Sequence, residues 1–244
     1  RDQLQLDLAG LASVAYVRDL SGSEPRVLRG SIAVGLAPGE SAPMPAEGVV
    51  ANINLANVNF DAWGTALAKA SGVPLVAPVA PAINGPAALG YLPTVMAVRA
   101  AELTAGGRIF PSVVIGGGRE DLTWRANVSA DQLNGYLEYR QPSPAGAGRV
   151  YARLAHLTIE PGAGADVEAV LERQPASIPA LDIVVEDFGV RGKKLGRVEI
   201  EAINRGGGST PLEGGVREWR LNKFNVLVPE ASFAATGNWA VASH

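Results

Sequence analysis

The chain has 244 residues, of which 47% are apolar and only 18% are charged, and it contains no cysteine. A formal charge of −3 and a pI of about 5.5 argue against a nucleic-acid binder, which needs a basic surface. The lack of cysteine excludes disulfides, thiolate nucleophiles and cysteine-ligated metal sites, and the scarcity of charge indicates apolar surface that must be covered.

The first predicted segment, residues 1–70, is a β-rich repeat that ends in a short helix. The chain begins with Arg1 rather than Met, and we expect it to be a piece of a longer protein whose targeting or anchoring segment lies outside it. Asp61 can cap a helix over Asp61–Ala70, because the apolar residues that follow it recur on one helical face.

Residues 71–92 are predicted to be a Pro/Gly-rich connector. No charged residue lies from Ala70 to Val98, which is long enough to span the roughly 30 Å hydrocarbon core of a bilayer. Each proline in a helix interior costs about 3 kcal/mol. The prolines of this stretch are Pro74, Pro78, Pro81, Pro86 and Pro93. We therefore predict a connector rather than a membrane-spanning helix.

Two further units are predicted, a second β-repeat with a short helix at 93–174 and a third, incomplete repeat at 175–244. Apolar and charged residues alternate with the period of a half-buried strand, as around Val198 and Ile200. The predicted fold class is all-β, a mostly antiparallel, repeating β-groove made of a strongly twisted open sheet. Its two short helices are expected near Asp61–Ala70 and Asp166–Arg173.

An internal repeat is the most informative feature of the sequence. Leu55–Phe60 matches Leu154–Ile159 at a shift of 99, and Leu103–Phe110 matches Phe188–Leu195 at a shift of 85. The order of elements agrees in both copies: strand, helix, connector and a meander of strands. Such a unit cannot bury its hydrophobic side by itself, so stacked units are expected to extend one sheet and to share one core or groove.

The residues that could carry chemistry are few. His156 stands where the other repeat has Asn57, which indicates a position that prefers a polar residue rather than a catalytic base. Glu199 and Glu201 share a strand face but are interpreted as solvent-facing charges. The tryptophans are interpreted as core or groove lining rather than a sugar-stacking set; they are Trp63, Trp124, Trp219 and Trp239. We predict no enzyme, no metal site and no cofactor.

The glycine runs Gly116–Gly118 and Gly189–Lys194 lack the Gly-Lys-Ser/Thr ending of a phosphate-binding loop and are predicted to be hairpin turns. The large apolar residues that alternate along the strands are predicted to line one apolar groove. They are Ile53, Leu55, Val113, Ile115, Leu137, Leu154, Ile183, Val185, Val198, Ile200, Leu221 and Phe233. A slip of one residue reverses the faces of a strand, and the pattern slips at Val58 after Leu55.

Several segments resemble the C-terminal region of the YhdP proteins of Gram-negative bacteria, members of the AsmA-like superfamily that includes TamB. They are Pro179–Phe188, Arg191–Arg197, Arg217–Lys223 and Ala235–Trp239. Leu103–Arg108 and Gly135–Tyr139 resemble the preceding repeat of the same family. The resemblance covers roughly residues 51–239, and its motifs are structural.

The resemblance implies a large periplasmic protein, anchored in the inner membrane, whose repeated sheets form a long groove that carries phospholipid between the inner and outer membranes. Excess apolar surface and few charges agree with an acyl-chain conduit, because lipid tails gain about 0.8 kcal/mol per buried methylene. The alternative is a structural or adhesive β-repeat, such as a passenger-type module, with a closed core and no lipid ligand.

Overall fold

The computed structural model of the chain describes residues 1–8, 11–35, 37, 43–62, 65, 89–143, 146–159, 178–205, 217–228 and 230–241. The chain divides into two compact units. Unit 1 comprises Arg1–Asp121 and Ser129–Asp131, and unit 2 comprises Leu122–Val128 and Gln132–His244. The boundaries predicted at residues 71, 93 and 175 follow the repeat rather than these units, and they stay predictions.

Unit 1 is a sheet in which neighbouring strands are also neighbours along the chain. Its strands are β1 (Asp2–Leu8), β2 (Ala12–Asp19), β3 (Arg26–Val34), β4 (Gly48–Asn59), β5 (Val95–Ala105) and β6 (Arg108–Glu120). The pairs β1–β2, β2–β3 and β5–β6 are antiparallel, whereas β3–β4 and β4–β5 are parallel.

Unit 2 follows the same rule of sequential order. Its strands are β7 (Thr123–Ser129), β8 (Leu133–Arg140), β9 (Arg149–Ile159), β10 (Ala180–Val190), β11 (Lys193–Arg205), β12 (Arg217–Val228) and β13 (Ala231–Val241). The β9–β10 pair is parallel, and the pairs β8–β9, β10–β11, β11–β12 and β12–β13 are antiparallel. The prediction of an all-β, mostly antiparallel sheet is confirmed.

The internal repeat reappears in the strand pairing. The repeated segments lie on β4 and β9, and each of these strands pairs in parallel with the strand that follows it. In the first copy, Leu55 lies opposite Ala100. In the second copy, their repeat equivalents Leu154 (shifted by 99) and Val185 (shifted by 85) lie opposite each other. The two copies therefore share register as well as sequence.

The break in the alternation of apolar and polar residues at Val58, noted in the sequence, is also present in the structure. Leu55 and Val58 belong to the same apolar cluster although three positions separate them, and Leu154 and Leu157 do so in the second copy. An alternating strand would place such residues on opposite faces. Both strands therefore carry an irregularity that returns the next large apolar residue to the apolar side.

The first predicted helix is described only in part. Phe60–Ala62 and Thr65 are helical, and the rest of Asp61–Ala70, including Trp63, lies outside the described residues, as does all of Asp166–Arg173. The prediction that Asp61 caps this helix is wrong. The Ala62 N–H donates to Asn59 Oδ1 at 2.8 Å, which makes Asn59 the cap.

Asp61 instead holds a turn that is remote in sequence. Its two carboxylate oxygens accept hydrogen bonds from the N–H groups of Gly106 and Gly107, each at 2.8 Å. These glycines form the two-residue turn between β5 and β6, and both have positive φ (59° and 71°), as a type I′ hairpin requires. The helix start and the hairpin are thereby tied together within unit 1.

We expect Asp61→Ala to loosen this turn, because two hydrogen bonds to a carboxylate are lost at a solvent-exposed site. Unfolding should become easier by about 1 kcal/mol, and amide hydrogen exchange at Gly106 and Gly107 should accelerate. Asn59→Ala is the matched control, since it removes a helix cap and leaves both turn amides bonded. Equal exchange rates at the turn in the two variants would contradict the assignment.

The prediction that Gly116–Gly118 form a hairpin turn is wrong. These residues lie inside β6, where Gly116, Gly117 and Gly118 pair with Ala97, Met96 and Val95 of β5. The ladder continues through them, and the strand ends only at Glu120. The prediction of a hairpin turn within Gly189–Lys194 is confirmed, because Arg191 and Gly192 form the two-residue turn between β10 and β11.

Candidate functional site: an apolar sheet face in each unit

One face of the unit 1 sheet, here the unit 1 apolar face, carries apolar residues on all its strands. One row of cross-strand partners runs through Leu8, Ala12, Val34, Ile53, Val98 and Ile115. Val58, Ala100, Leu103 and Val113 are buried in one cluster with Ala130, and Ile53, Leu55 and Ile115 pack against it. The structure therefore brings together the predicted residues of unit 1.

The unit 1 apolar face is most exposed on β1. Leu4, Leu6 and Leu8 are 40%, 53% and 51% exposed, although they lie opposite Tyr16, Val14 and Ala12 of the same face. Sequence reasoning did not include these leucines. Strict alternation over Leu4–Leu8 is a signal that could have found them.

The unit 2 apolar face follows the same principle. One row of partners runs through Leu137, Ala152, Ile183, Ile200, Phe224 and Ala235, and the next through Leu154, Val185, Val198, Val226 and Phe233. Leu221 lies opposite Ala202. Ala202 follows Ile200 by two positions on β11, so it lies on the same face as Ile200. All the predicted residues of unit 2 thus share one face.

Exposure of the unit 2 apolar face also rises toward one side of the sheet. Val185 and Val198 are each 2% exposed, whereas Phe233 on β13 is 57% exposed. Phe224 packs edge-to-face on Phe233 with ring centroids 6.0 Å apart. Phe224 was missed in the sequence because a register shift between Leu221 and Phe224 breaks the alternation.

The opposite face of unit 2, here the polar face, carries ion pairs. Arg197 lies 2.9 Å from Glu186 and 2.8 Å from Glu199, and the Lys223 ammonium also binds Glu199. The hydrogen bond from Lys223, followed by that from Arg197, holds the pKa of Glu199 below its ordinary value. Glu201 pairs with Lys223 on the same face. Both glutamates therefore lie where the alternation predicted.

Two cavities lie against the unit 1 sheet. One of about 540 Å³ is lined in part by Val34, Ile53, Val98 and Ile115 of the apolar face, and also by intervening residues such as Asn54. A second, of about 580 Å³, is lined in part by Leu55, Ala100 and Val113. Both are open clefts rather than enclosed cavities, and they share the lining residues Asn54, Arg99 and Val114.

Polar side chains fix the segments that lead into β5 and β10. Arg119 donates to the carbonyl oxygens of Leu89 and Leu92, at 2.8 and 3.3 Å. Asn204 is the repeat equivalent of Arg119, at the shift of 85, and it donates to the Ile178 carbonyl oxygen at 2.6 Å. The Trp219 indole N–H donates to the Pro179 carbonyl at 3.1 Å, and Trp219 lies opposite Trp239. This agrees with a structural role for these tryptophans.

The other sequence candidates do not form a site. His156 lies opposite Asn134 and Asp187 in the ladders of β8 and β10. Within the described ranges, three or more His, Cys, Asp or Glu side chains nowhere gather closely enough to hold a metal ion. Across the same ranges, the structure contains no helix with the length and apolar character needed to cross a membrane.

Comparison with known proteins gives one result. A family model described as "YhdP protein" matches residues 1–244. No curated protein and no solved structure matches the chain.

Proposed function

The chain belongs to the YhdP family, and from that premise we propose that it is a segment of a bridge-like lipid transport protein. The whole protein is anchored in the inner membrane and works in the periplasm, where it carries phospholipid between the inner and outer membranes. The observation that supports this proposal is the division of the sheet faces in unit 2, where one face is apolar and the other carries ion pairs.

The apolar faces have the chemistry that an acyl chain needs. Each buried methylene contributes about 0.8 kcal/mol, and this gain needs no hydrogen-bonding partner. Leu6 and Phe233, at 53% and 57% exposure, leave apolar surface open for such contacts. Transport along these faces is passive and involves no catalytic residue, metal or cofactor.

Photo-crosslinking tests the proposal. A benzophenone amino acid at Ile200 or Ile115 should capture phospholipid in cells, because both side chains lie on an apolar face. The same group at Glu201, next to Ile200 but on the polar face, is the matched control and should capture none. Capture at Glu201 without capture at Ile200 would invert the assignment of faces.

The same experiment distinguishes lipid transport from the alternative, a structural or adhesive module. A passenger-type module with a closed core would give no lipid adduct at any of these positions. Mass spectrometry of solvent-extracted purified chain supplies the second measurement, and the lipid transport proposal predicts co-purified phospholipid. Absence of both adducts and extractable lipid would favour the adhesive role.

A further inference from the structure

The unit 2 apolar face changes in character along its strands. At the end where β9 and β10 begin, one row of cross-strand partners runs through Tyr139, Val150, Leu181, Ala202 and Leu221. The row beyond it pairs Asn204 with Trp219 and Trp219 with Trp239. Strand alternation places both rows on the side of the sheet that carries Ile200. This end, here the donor end, is defined by the four residues whose side chains carry a hydrogen-bond donor: Tyr139, Asn204, Trp219 and Trp239.

The other end of the same face consists of hydrocarbon side chains. Leu133, Leu157 and Phe188 lie there and pack against the buried Leu154. Along β9, the distance from residue 150 at the donor end to residue 157 is about 23 Å at 3.3 Å per residue. An acyl chain in a bilayer fills about half of the 30 Å hydrocarbon core. The apolar face is therefore long enough to hold one acyl chain lengthwise.

Two side chains of the donor end have donors to spare. Within the described part of the chain, the Tyr139 hydroxyl and the Trp239 indole N–H make no hydrogen bond. Burial raises the pKa of the Tyr139 hydroxyl, which is therefore partly withdrawn from water. A half-buried donor gains most from a ligand that brings an acceptor into the same place. Ester and phosphate oxygens are acceptors of this kind.

Unit 1 shows the same polarity along its strands. On its apolar face, at the end where β4 and β5 begin, the Tyr16 hydroxyl donates to the Tyr91 carbonyl oxygen at 2.9 Å. Arg18 donates to the Tyr91 hydroxyl at 3.2 Å and forms an ion pair with Asp2. The buried apolar cluster that contains Val58 lies toward the other end of these strands. The hydrogen-bonding groups therefore gather at the same end of the strands in both repeats.

A second candidate for binding a lipid headgroup lies at the hydrocarbon end of unit 2. Lys193 is the ladder partner of Val190, which follows Phe188 by two positions and so lies on the apolar side. Arg191 and Lys194 add positive charge at the same hairpin, and all three cations are exposed. A long cationic side chain beside a turn keeps its charge in water. The donor end differs because its spare donors are only half exposed.

We propose that the donor end binds the polar end of a phospholipid, so that its ester or phosphate oxygens accept from Tyr139 or Trp239 and its acyl chain runs toward Phe188. The proposal rests on the proposed lipid transport function. Tyrosine and tryptophan combine an apolar ring with a polar tip, which suits the boundary between hydrocarbon and water. Tyr139 lies on β8 and Trp239 on β13, so a lipid that crosses the sheet meets these donors one after the other.

Photoaffinity labelling of the full chain tests this orientation. Two phosphatidylcholine probes are used, one with a diazirine beside the ester and one with a diazirine at the last acyl carbon. Peptide mass spectrometry should find the ester-side probe on Tyr139 or Trp239 and the terminal probe on Leu157 or Phe188. The ester-side probe is expected to leave Lys193 unlabelled.

The outcomes of labelling separate the two proposals. The reverse pattern, with the ester-side probe on Lys193 and the terminal probe at the donor end, would overturn the orientation and leave lipid transport intact. Labelling of the same residues by both probes would do the same. If neither probe labels the apolar face, the transport proposal fails and the donor end has no lipid to bind.

Tyr139→Phe/Trp239→Phe removes both spare donors and keeps an aromatic ring at each position. Its affinity for phosphatidylcholine should fall about fivefold, the loss expected for one hydrogen bond, because a bound lipid meets one donor at a time. Its affinity for n-dodecane, which has no acceptor, should stay the same, as should its circular dichroism. An equal loss for n-dodecane would show that the substitutions act through packing and would overturn the proposal.

Tyr136→Phe/Tyr151→Phe is the matched control. These two tyrosines lie on the polar face of unit 2, where their rings pack edge-to-face with centroids 6.1 Å apart. This variant should bind phosphatidylcholine with wild-type affinity. An equal loss in both double variants, or wild-type affinity in a folded Tyr139→Phe/Trp239→Phe chain, would contradict a lipid-binding role of the donor end.

Discussion

Replacing Ile200 with Asp is expected to remove most of the phospholipid bound to the chain while the sheet stays folded. Ile200 is half-buried on the unit 2 apolar face between its partners Ile183 and Phe224. A lone carboxylate there either forces water onto the acyl path or costs several kcal/mol when an acyl chain passes it. We expect lipid co-purified with the variant to fall at least about tenfold, as measured by mass spectrometry.

Two comparisons make this result specific. Ile115→Asp repeats the change on the unit 1 apolar face at the position equivalent to Ile200, and it should have the same effect. Glu201→Gln, on the polar face, and His156→Ala should leave bound lipid nearly unchanged. If His156→Ala removed the lipid from a folded chain while Ile200→Asp retained it, the passive-face mechanism would be wrong.

Gly196→Ala is expected to destabilise unit 2 strongly. Gly196 lies in β11 opposite Phe188 with a φ of 68°, and a Cβ there would stand 2.2 Å from the Leu227 carbonyl oxygen. The left-handed backbone by itself costs a non-glycine residue about 1–2 kcal/mol, and the clash must also be relieved. We expect the free energy of unfolding to fall by at least about 2 kcal/mol in urea titrations.

Gly237→Ala is the control for this prediction. Gly237 lies in β13 of the same unit, has no atom within 4 Å of an added Cβ, and does not have positive φ. Alanine there should leave stability unchanged or raise it slightly, because the unfolded chain loses conformational freedom. Equal destabilisation by the two substitutions would show that the close approach of Leu227 to Gly196 does not limit stability.

The face assignments were predictable where alternation is unbroken. Ile183, Val185, Val198 and Ile200 alternate without interruption, and the structure places them on one face. Val198 and Ile200 have charged neighbours on both sides, so burial fixes the phase of β11, and the register of the β10–β11 ladder places Ile183 and Val185 on the same face. Periodicity and burial therefore determined this part of the candidate site.

The remaining features depend on contacts that are remote in sequence. The bond between Asp61 and Gly106 spans 45 positions, so the sequence around Asp61 showed only an apparent helix cap. Phe224 was hidden because a register shift precedes it.

The parallel pairs in the two repeats have a consequence for the connectors between their strands. Pairing β4 with β5 closes a loop of 35 residues (60–94), and pairing β9 with β10 closes one of 20 residues (160–179). Loop-closure entropy grows only as the logarithm of length, so the longer loop costs about 0.5 kcal/mol more. Connector length can therefore change between repeats at almost no cost in stability, while the register of the strands that it joins stays the same.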